Sequence, residues 1–396
     1  MPATAEEVAV PTRKALSGHV ALVAGATRGA GRGIACALGD AGATVYCSGR
    51  STREHPCSTG FYAGRPETIE ETAEMVTARG GQGIAVRTDH LDPEQVQSLV
   101  TRIEKDHKRL DVLVNDISEG DRHDWQSFWK VDVEKGFTLL RNALHTHIIT
   151  CRFAVPLMVR RRRGLVVEIG DGDRLQYRGT LFYDLIKTSV TRLGWAMAEE
   201  LRPHGVSALT VTPGFMRTEV MLDAFGVTES NWRDGAMKDP SFVHSETPLY
   251  VGRAVAALAA DPNVLAKSGG LYSSWGLARE YGFTDVDGAQ PDIGTHLGHL
   301  FEAPTRTGVR WEIRYEGSGG AKRSGGSKGS GGSRGSRVPR DGEAGSGPQF
   351  RRSSDCAPGA ESGRKPTLRK GALSWESTIR AWMHTSRNPP TSQSRF

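Results

Sequence analysis

At 396 residues, 37% hydrophobic and 24% charged, the chain is long enough to bury one large core or two smaller ones. Its net charge of +6 is unevenly placed: from Phe301 onward there are 18 Lys and Arg against 8 Asp and Glu, which leaves residues 1–300 at −4 and argues against nucleic-acid binding by the globular part. Five scattered cysteines without a C-x-x-C pair exclude a zinc or disulfide framework, and no apolar run reaches the ~18 residues of a membrane helix, so a cytoplasmic chain with no membrane contact and no metal is expected.

Residues 1–16 carry Glu6 and Glu7 and no apolar run, and read as a flexible arm rather than a signal peptide. Strand-like runs follow at Val20–Ala24, Thr44–Ser48, Ile84–Arg87, Val112–Asn115, Leu165–Ile169, Ser207–Val211 and Leu271–Ser274, separated by helix-length segments. Several are nearly continuous in Val, Ile, Leu and Ala, as strands covered on both faces are. The alternation predicts an α/β fold, a doubly wound parallel-sheet Rossmann-like single domain over residues 17–295. Beyond it, 296–396 is basic and low in complexity; residues 317–337 are almost entirely Gly, Ser, Lys and Arg, too poor in apolar side chains to offset the entropy of ordering, and predict a disordered tail.

The first strand runs directly into Gly25-Ala26-Thr27-Arg28-Gly29-Ala30-Gly31, followed by a helical pattern. Glycines here let the backbone turn tightly and approach a diphosphate, whose charge suits the free N–H groups at a helix N-terminus. The second strand ends in Ser48-Gly49-Arg50. An acidic residue there favours a free ribose hydroxyl, whereas an arginine fork pairs with a 2′-phosphate, so Arg50 together with Arg28 points to NADP(H).

Tyr183 and Lys187 are four apart in a helical segment that continues through Leu201, which puts both on one helix face. A phenol near pH 7 needs a nearby cation to act as a base, and the lysine is placed to supply it. With the G-x-x-x-G-x-G spacing upstream, this order resembles the short-chain dehydrogenase/reductase family over roughly residues 17–290. The resemblance implies that Tyr183 passes a proton to or from a substrate oxygen and that Lys187 modulates it and holds the cofactor ribose. It also implies adenine contacts from Asp89 and His90, a site role for Asn115 (by its residue type a strut at the sheet centre), and nicotinamide-side contacts from Pro213, Gly214 and Thr218. Ala24 replaces the family's threonine before the first glycine.

Two departures stand out. The substrate-orienting serine of the family falls on Gly170, with Asp171, Tyr177 or Thr180 as candidate replacements, and the helical asparagine of the tetrad falls one position off, with Asn142 beside the best register at Ala143. Loss of one oxyanion donor typically costs about 3–4 kcal/mol. The expected function is therefore carbonyl–alcohol interconversion with NADP(H) on an apolar small molecule; the alternative is a dinucleotide-binding protein with weak or lost catalysis. The stretch Glu219–Pro248, with Met221, Phe225, Trp232, Met237 and Phe242, reads either as a mobile lid or as core. The resemblance further implies a homo-oligomer paired through helices near Lys135–Arg161 and Leu181–Arg202.

Overall fold

The computed structural model describes residues 14–174 and 177–296. The tail from residue 297 and most of the N-terminal arm lie outside the described residues. Seven strands, β1 (Val20–Ala24), β2 (Thr44–Gly49), β3 (Gln82–Arg87), β4 (Val112–Asn115), β5 (Gly164–Ile169), β6 (Val206–Thr212) and β7 (Leu271–Ser273), form one parallel sheet in the order β3-β2-β1-β4-β5-β6-β7. β1, β4 and β6 are buried along their whole length, which is why their sequences are apolar or small but for Asn115 at the end of β4.

Helices cover both faces. On one, α1 (Gly29–Asp40), α2 (Ile69–Ala78) and α8 (Pro248–Ala260) pack Ile34, Leu38, Val76, Val251 and Leu258 against the sheet. On the other, α3 (Pro93–His107), α5 (Thr146–Arg161) and α6 (Leu181–Leu201) contribute Leu99, Ile103, Leu157, Met158 and Leu201. Helices α1 and α8 approach so closely that a Cβ on Gly33 would lie 2.0 Å from the Pro248 carbonyl oxygen. Any larger residue there forces the pair apart.

The sheet grows outward in both directions from β1 and β4. In register, Ala24 lies opposite both Ser48 and Asn115, and Asn115 opposite Glu168, so the strand ends are level. Loops leaving these ends diverge to opposite faces and leave a crevice at the point where the winding reverses, the usual ligand position in such sheets.

The first expected long helix is α4 (Val133–Leu140), a π-helical turn at Arg141–His145, and α5, in unbroken succession. A π turn lodges one extra residue in an α-helix. Asn142, one position off the register expected from the sequence, lies within this turn. The Glu219–Pro248 stretch is largely packed: Phe225 and Phe242 stack at 4.2 Å, and Trp232, Phe215, Trp275 and Ile293 complete a third cluster. Only Met237, 92% exposed, stays outside it among the apolar residues singled out there. Among the described residues no helix is long and apolar enough to cross a membrane, and no group of side chains is arranged to hold a metal ion.

Candidate active site

A cavity of about 950 Å³ opens over the C-terminal ends of β1, β4 and β5. Its floor is the loop leaving β1. Gly25 has φ +97°, and a Cβ on it would meet the Asp116 carbonyl oxygen at 2.3 Å; a Cβ on Gly31 would meet the Gly25 carbonyl oxygen at 2.3 Å. The glycines are thus demanded by backbone packing on backbone, and the N-terminus of α1 faces the cavity with two of its N–H groups engaged by carboxylates. The Gly29 N–H donates to the Glu219 carboxylate at 3.0 Å, while Ala30, next in line, has no partner for its N–H among the described residues. The Gly31 N–H donates to Asp116, whose carboxyl burial pushes up to about 7.

The sequence-expected residues Thr27, Arg28, Gly29, Ala30, Arg50, Asp89, His90, Tyr183, Lys187, Pro213, Gly214 and Thr218 all line this cavity with Gly25, whereas Gly31 and Asn115 do not. Asn115 is fully buried, and its amide nitrogen donates to the Glu168 side chain at 2.7 Å. It is a strut at the sheet centre, but to a buried carboxylate on β5 rather than to backbone. Glu168 is held in turn by His147 Nδ1 at 2.5 Å. Burial alone would lower the His147 pKa; the Glu168 charge outweighs it and raises it.

His90 is also a strut. Its Nε2 meets Ser48 Oγ at 2.9 Å and its Nδ1 meets Thr150 Oγ1 at 2.7 Å, so neither ring nitrogen is left to read an adenine. Burial pushes its pKa down to about 3, which keeps the ring neutral. Arg28 donates from Nε to Glu67 at 3.1 Å and lies 4.6 Å over the Tyr62 ring; its Nη2 is buried with no hydrogen-bond partner. Arg50 is exposed at the cavity rim and makes no ion pair among the described residues. Thr218 caps α7 (Glu219–Phe225) by accepting from the Met221 N–H at 3.2 Å.

At the opposite wall, Thr180 caps α6, accepting from the Tyr183 N–H at 3.4 Å, which fixes the first turn carrying the tyrosine. The Tyr183 hydroxyl donates to Asp171 Oδ2 at 2.7 Å, and Lys187 Nζ pairs with Glu119 Oε1 at 2.7 Å. Burial raises the phenol's pKa well above its usual value, and the Asp171 charge adds to it. Burial alone would lower Lys187, but Glu119 outweighs it and holds the ammonium above the usual lysine value. Glu119, despite burial, is pulled down to about 2 by Lys187.

Of the three candidate replacements for the missing serine, Asp171 is the one that reaches the phenol. Thr180 is spent as a cap, and Tyr177 is 67% exposed. A Cβ at Gly170 would sit 2.9 Å from the Thr210 methyl, so that methyl occupies part of the space a serine needs. Asn142 lies within the π turn, lines the cavity, and donates to the Glu119 carbonyl at 2.9 Å.

Sequence reasoning missed Asp116, Glu119, His123 and Trp125, all on the segment after β4 that bends back over the cavity. An irregular loop has no periodicity from which to project its direction, so this segment left the sequence reading no signal. Glu246 was missed as well. It is buried behind the turn at Gly214, accepts from Ser274 Oγ at 2.6 Å, and burial pushes it up to about 8.

A level-ended parallel sheet, a glycine-lined helix N-terminus at the winding reversal, and a Tyr–Lys pair across one cavity define a dinucleotide-binding α/β oxidoreductase. The short chain dehydrogenase family pattern matches residues 19–225, and the chain belongs to that family. It is 35% identical over 300 residues to mouse "Dehydrogenase/reductase SDR family member 1", covering 74% of this chain and 91% of the relative. It is 28% identical over 271 residues to "Oxidoreductase UcpA" of Escherichia coli, covering 62% of this chain and 89% of that protein. Among solved structures, a short chain dehydrogenase of Mycobacterium thermoresistibile superposes with TM-score 0.58 at 22% identity, covering 70% of this chain and 92% of that one.

Members of this family bind nicotinamide dinucleotides, and the residues present here fit such a group. The Ala30 N–H at the α1 N-terminus and the Arg28 Nη2, both without a partner among the described residues, and the tight backbone at Gly25 and Gly31 suit an extended polyanion.

Proposed function

We propose that this chain is an NADP(H)-dependent oxidoreductase that interconverts a carbonyl and an alcohol, working as a reductase on an apolar substrate. One observation carries the reading: Tyr183 and Lys187 line the same cavity as the glycine loop and the N-terminus of α1. The loop Gly25–Gly31 would hold the diphosphate, with Thr218 across from it, and Arg50, the rim cation without an ion pair among the described residues, would take the 2′-phosphate. Bound there, the dinucleotide supplies or accepts the hydride.

The chain's own contribution is the proton. Tyr183 hydrogen-bonded to a carboxylate is held in its acid form, so it is poised to donate to a developing alkoxide rather than to remove a proton from an alcohol. Lys187, locked by Glu119, keeps a positive charge beside the phenol, 5.3 Å from the ring centroid. Ile169, Phe215, Val220, Met221 and Phe225 line the remaining cavity and favour an apolar substrate body.

The Asp171–Tyr183 bond also favours a second reading, a dinucleotide-binding protein with weak catalysis, because the group standing at the phenol is an acceptor where the family has a donor. NADPH fluorescence titration combined with a carbonyl panel separates the two. The enzyme reading predicts micromolar binding and turnover that falls by ~10³ or more in Tyr183→Phe; binding without turnover in the natural chain favours the second.

A further inference from the structure

His123 is 9% exposed, lines the cavity, and has no hydrogen-bond partner on either ring nitrogen. Trp125 lines the same wall, and its indole N–H is likewise buried and unpaired. Both rings lie against the Tyr183 phenol, His123 edge-on at 4.9 Å between centroids and Trp125 tilted at 5.6 Å. Buried polar groups are normally paired, so two such side chains side by side, next to the proposed proton donor, require an account.

The segment that carries them is not loose. Asn142 donates to the Glu119 carbonyl at 2.9 Å, the Phe61 N–H donates to the Gly120 carbonyl at 3.2 Å, and Lys135 pairs with Asp124 at 3.0 Å. The chain on either side of the rings is thus tied down, while their polar edges have no partner among the described residues. Burial keeps the His123 pKa below its usual value, so the ring is neutral near pH 7 and offers one N–H and one lone pair. With the indole N–H, the two rings hold two donors and one acceptor that are buried and have no partner among the described residues.

The charge around this wall is already matched. Lys187 is paired with Glu119, and Arg178 lies 3.9 Å from Asp171. Among the described residues next to the phenol, a substrate carboxylate would meet the carboxylates of Asp171 and Glu119 and cations already set against them, whereas a neutral oxygen would meet donors that lack a partner.

We propose that His123 and Trp125 are substrate-binding residues that hold a second, neutral oxygen of the carbonyl substrate, so that the site prefers diketones and hydroxyketones to simple ketones and to keto acids. The proposal rests on the reading of this cavity as a carbonyl site, and it also supplies a physical role for donors at a wall where the usual serine is absent.

The test uses the full chain saturated with NADP+, in which a ketone binds without reacting, so that binding is read apart from chemistry. Calorimetry gives Kd for 1-phenyl-1,2-propanedione, propiophenone and benzoylformate. The dione is expected to bind roughly tenfold or more tighter than propiophenone, and benzoylformate more weakly than the dione. In His123→Phe the dione-to-ketone preference is expected to fall by about tenfold; His123→Gln, which keeps a donor and an acceptor, returns it to within about threefold. Trp125→Phe, which retains the aromatic packing, provides a second variant should His123→Phe misfold. An unchanged preference in a folded variant, or tightest binding by benzoylformate, overturns the proposal. Turnover with NADPH is scored separately: its absence with the binding preference intact would sink the catalytic reading alone.

Discussion

Replacing Asp171 with Asn removes one charge at the phenol while keeping an oxygen able to accept from it. Asp171 Oδ2 lies 2.7 Å from Tyr183 Oη, and the carboxylate is 36% exposed. Two charges ~4 Å apart interact by about 4 kcal/mol near a protein surface and about 1 kcal/mol in water. For a carboxylate one third open to solvent, an intermediate value of roughly 1.5–3 kcal/mol applies, or about one to two pKa units at 1.36 kcal/mol each. The sign follows from the anion: Asp171 disfavours phenolate, so its loss lowers the Tyr183 pKa. The assay is kcat/KM for NADPH-dependent reduction of 1-phenyl-1,2-propanedione from pH 6 to 11. The natural chain should keep its rate beyond the usual tyrosine pKa of ~10, and in Asp171→Asn the alkaline fall should move down by about one to two units. An alkaline limb that does not move would refute the claim that Asp171 sets the protonation state of the acid.

Arg50→Ala should weaken NADPH by about 10- to 100-fold, the value of a charge-assisted pair of roughly 1.5–3 kcal/mol, and leave NADH within a factor of about two by fluorescence titration; equal losses for both would contradict the 2′-phosphate assignment. Glu119→Gln strips Lys187 of its partner in a pair whose side chains are 19% and 12% exposed, and a broken buried pair costs about 3–5 kcal/mol, on the order of 10 °C in melting temperature. Because Glu119 is depressed to about 2 in the fold, its stabilisation is full above the ordinary carboxylate pKa and fades as pH falls toward 2, so the gap between natural and variant melting temperatures should close across that window. Val133, Phe137, Leu181 and Leu185 are exposed on α4 and α6, the helices expected to pair two copies; Phe137→Glu should shift sedimentation toward the monomer, and a natural chain already monomeric would refute that pairing.

The sheet was the most legible part of the molecule. A run such as Val20–Ala24, buried on both faces, has no polar alternation to misread, and its boundaries agree with the observed strand. β3, at the sheet edge and only half covered, begins at Gln82, two residues before the apolar run suggests. The Tyr–Lys register and the glycine loop were equally legible, because helical spacing and steric need leave marks in local sequence. What sequence could not give was direction and partnership. His90 and Asn115 sit near the cavity, yet their polar atoms turn to Ser48, Thr150 and Glu168, partners distant in the chain. Asn142 lies in a π turn, a feature that does not announce itself in composition. The loop at 116–125 carries much of the polar chemistry of the site and has neither period nor motif.

The most direct measurement is a crystal structure of the full chain with NADPH. The account predicts the diphosphate over residues 25–31 against the Ala30 N–H, the 2′-phosphate on Arg50, and nicotinamide C4 close enough to Tyr183 for a substrate carbonyl to bridge them, with reacting atoms ~3–3.5 Å apart. A dinucleotide seated elsewhere, or one whose nicotinamide points away from Tyr183 and Lys187, would contradict it.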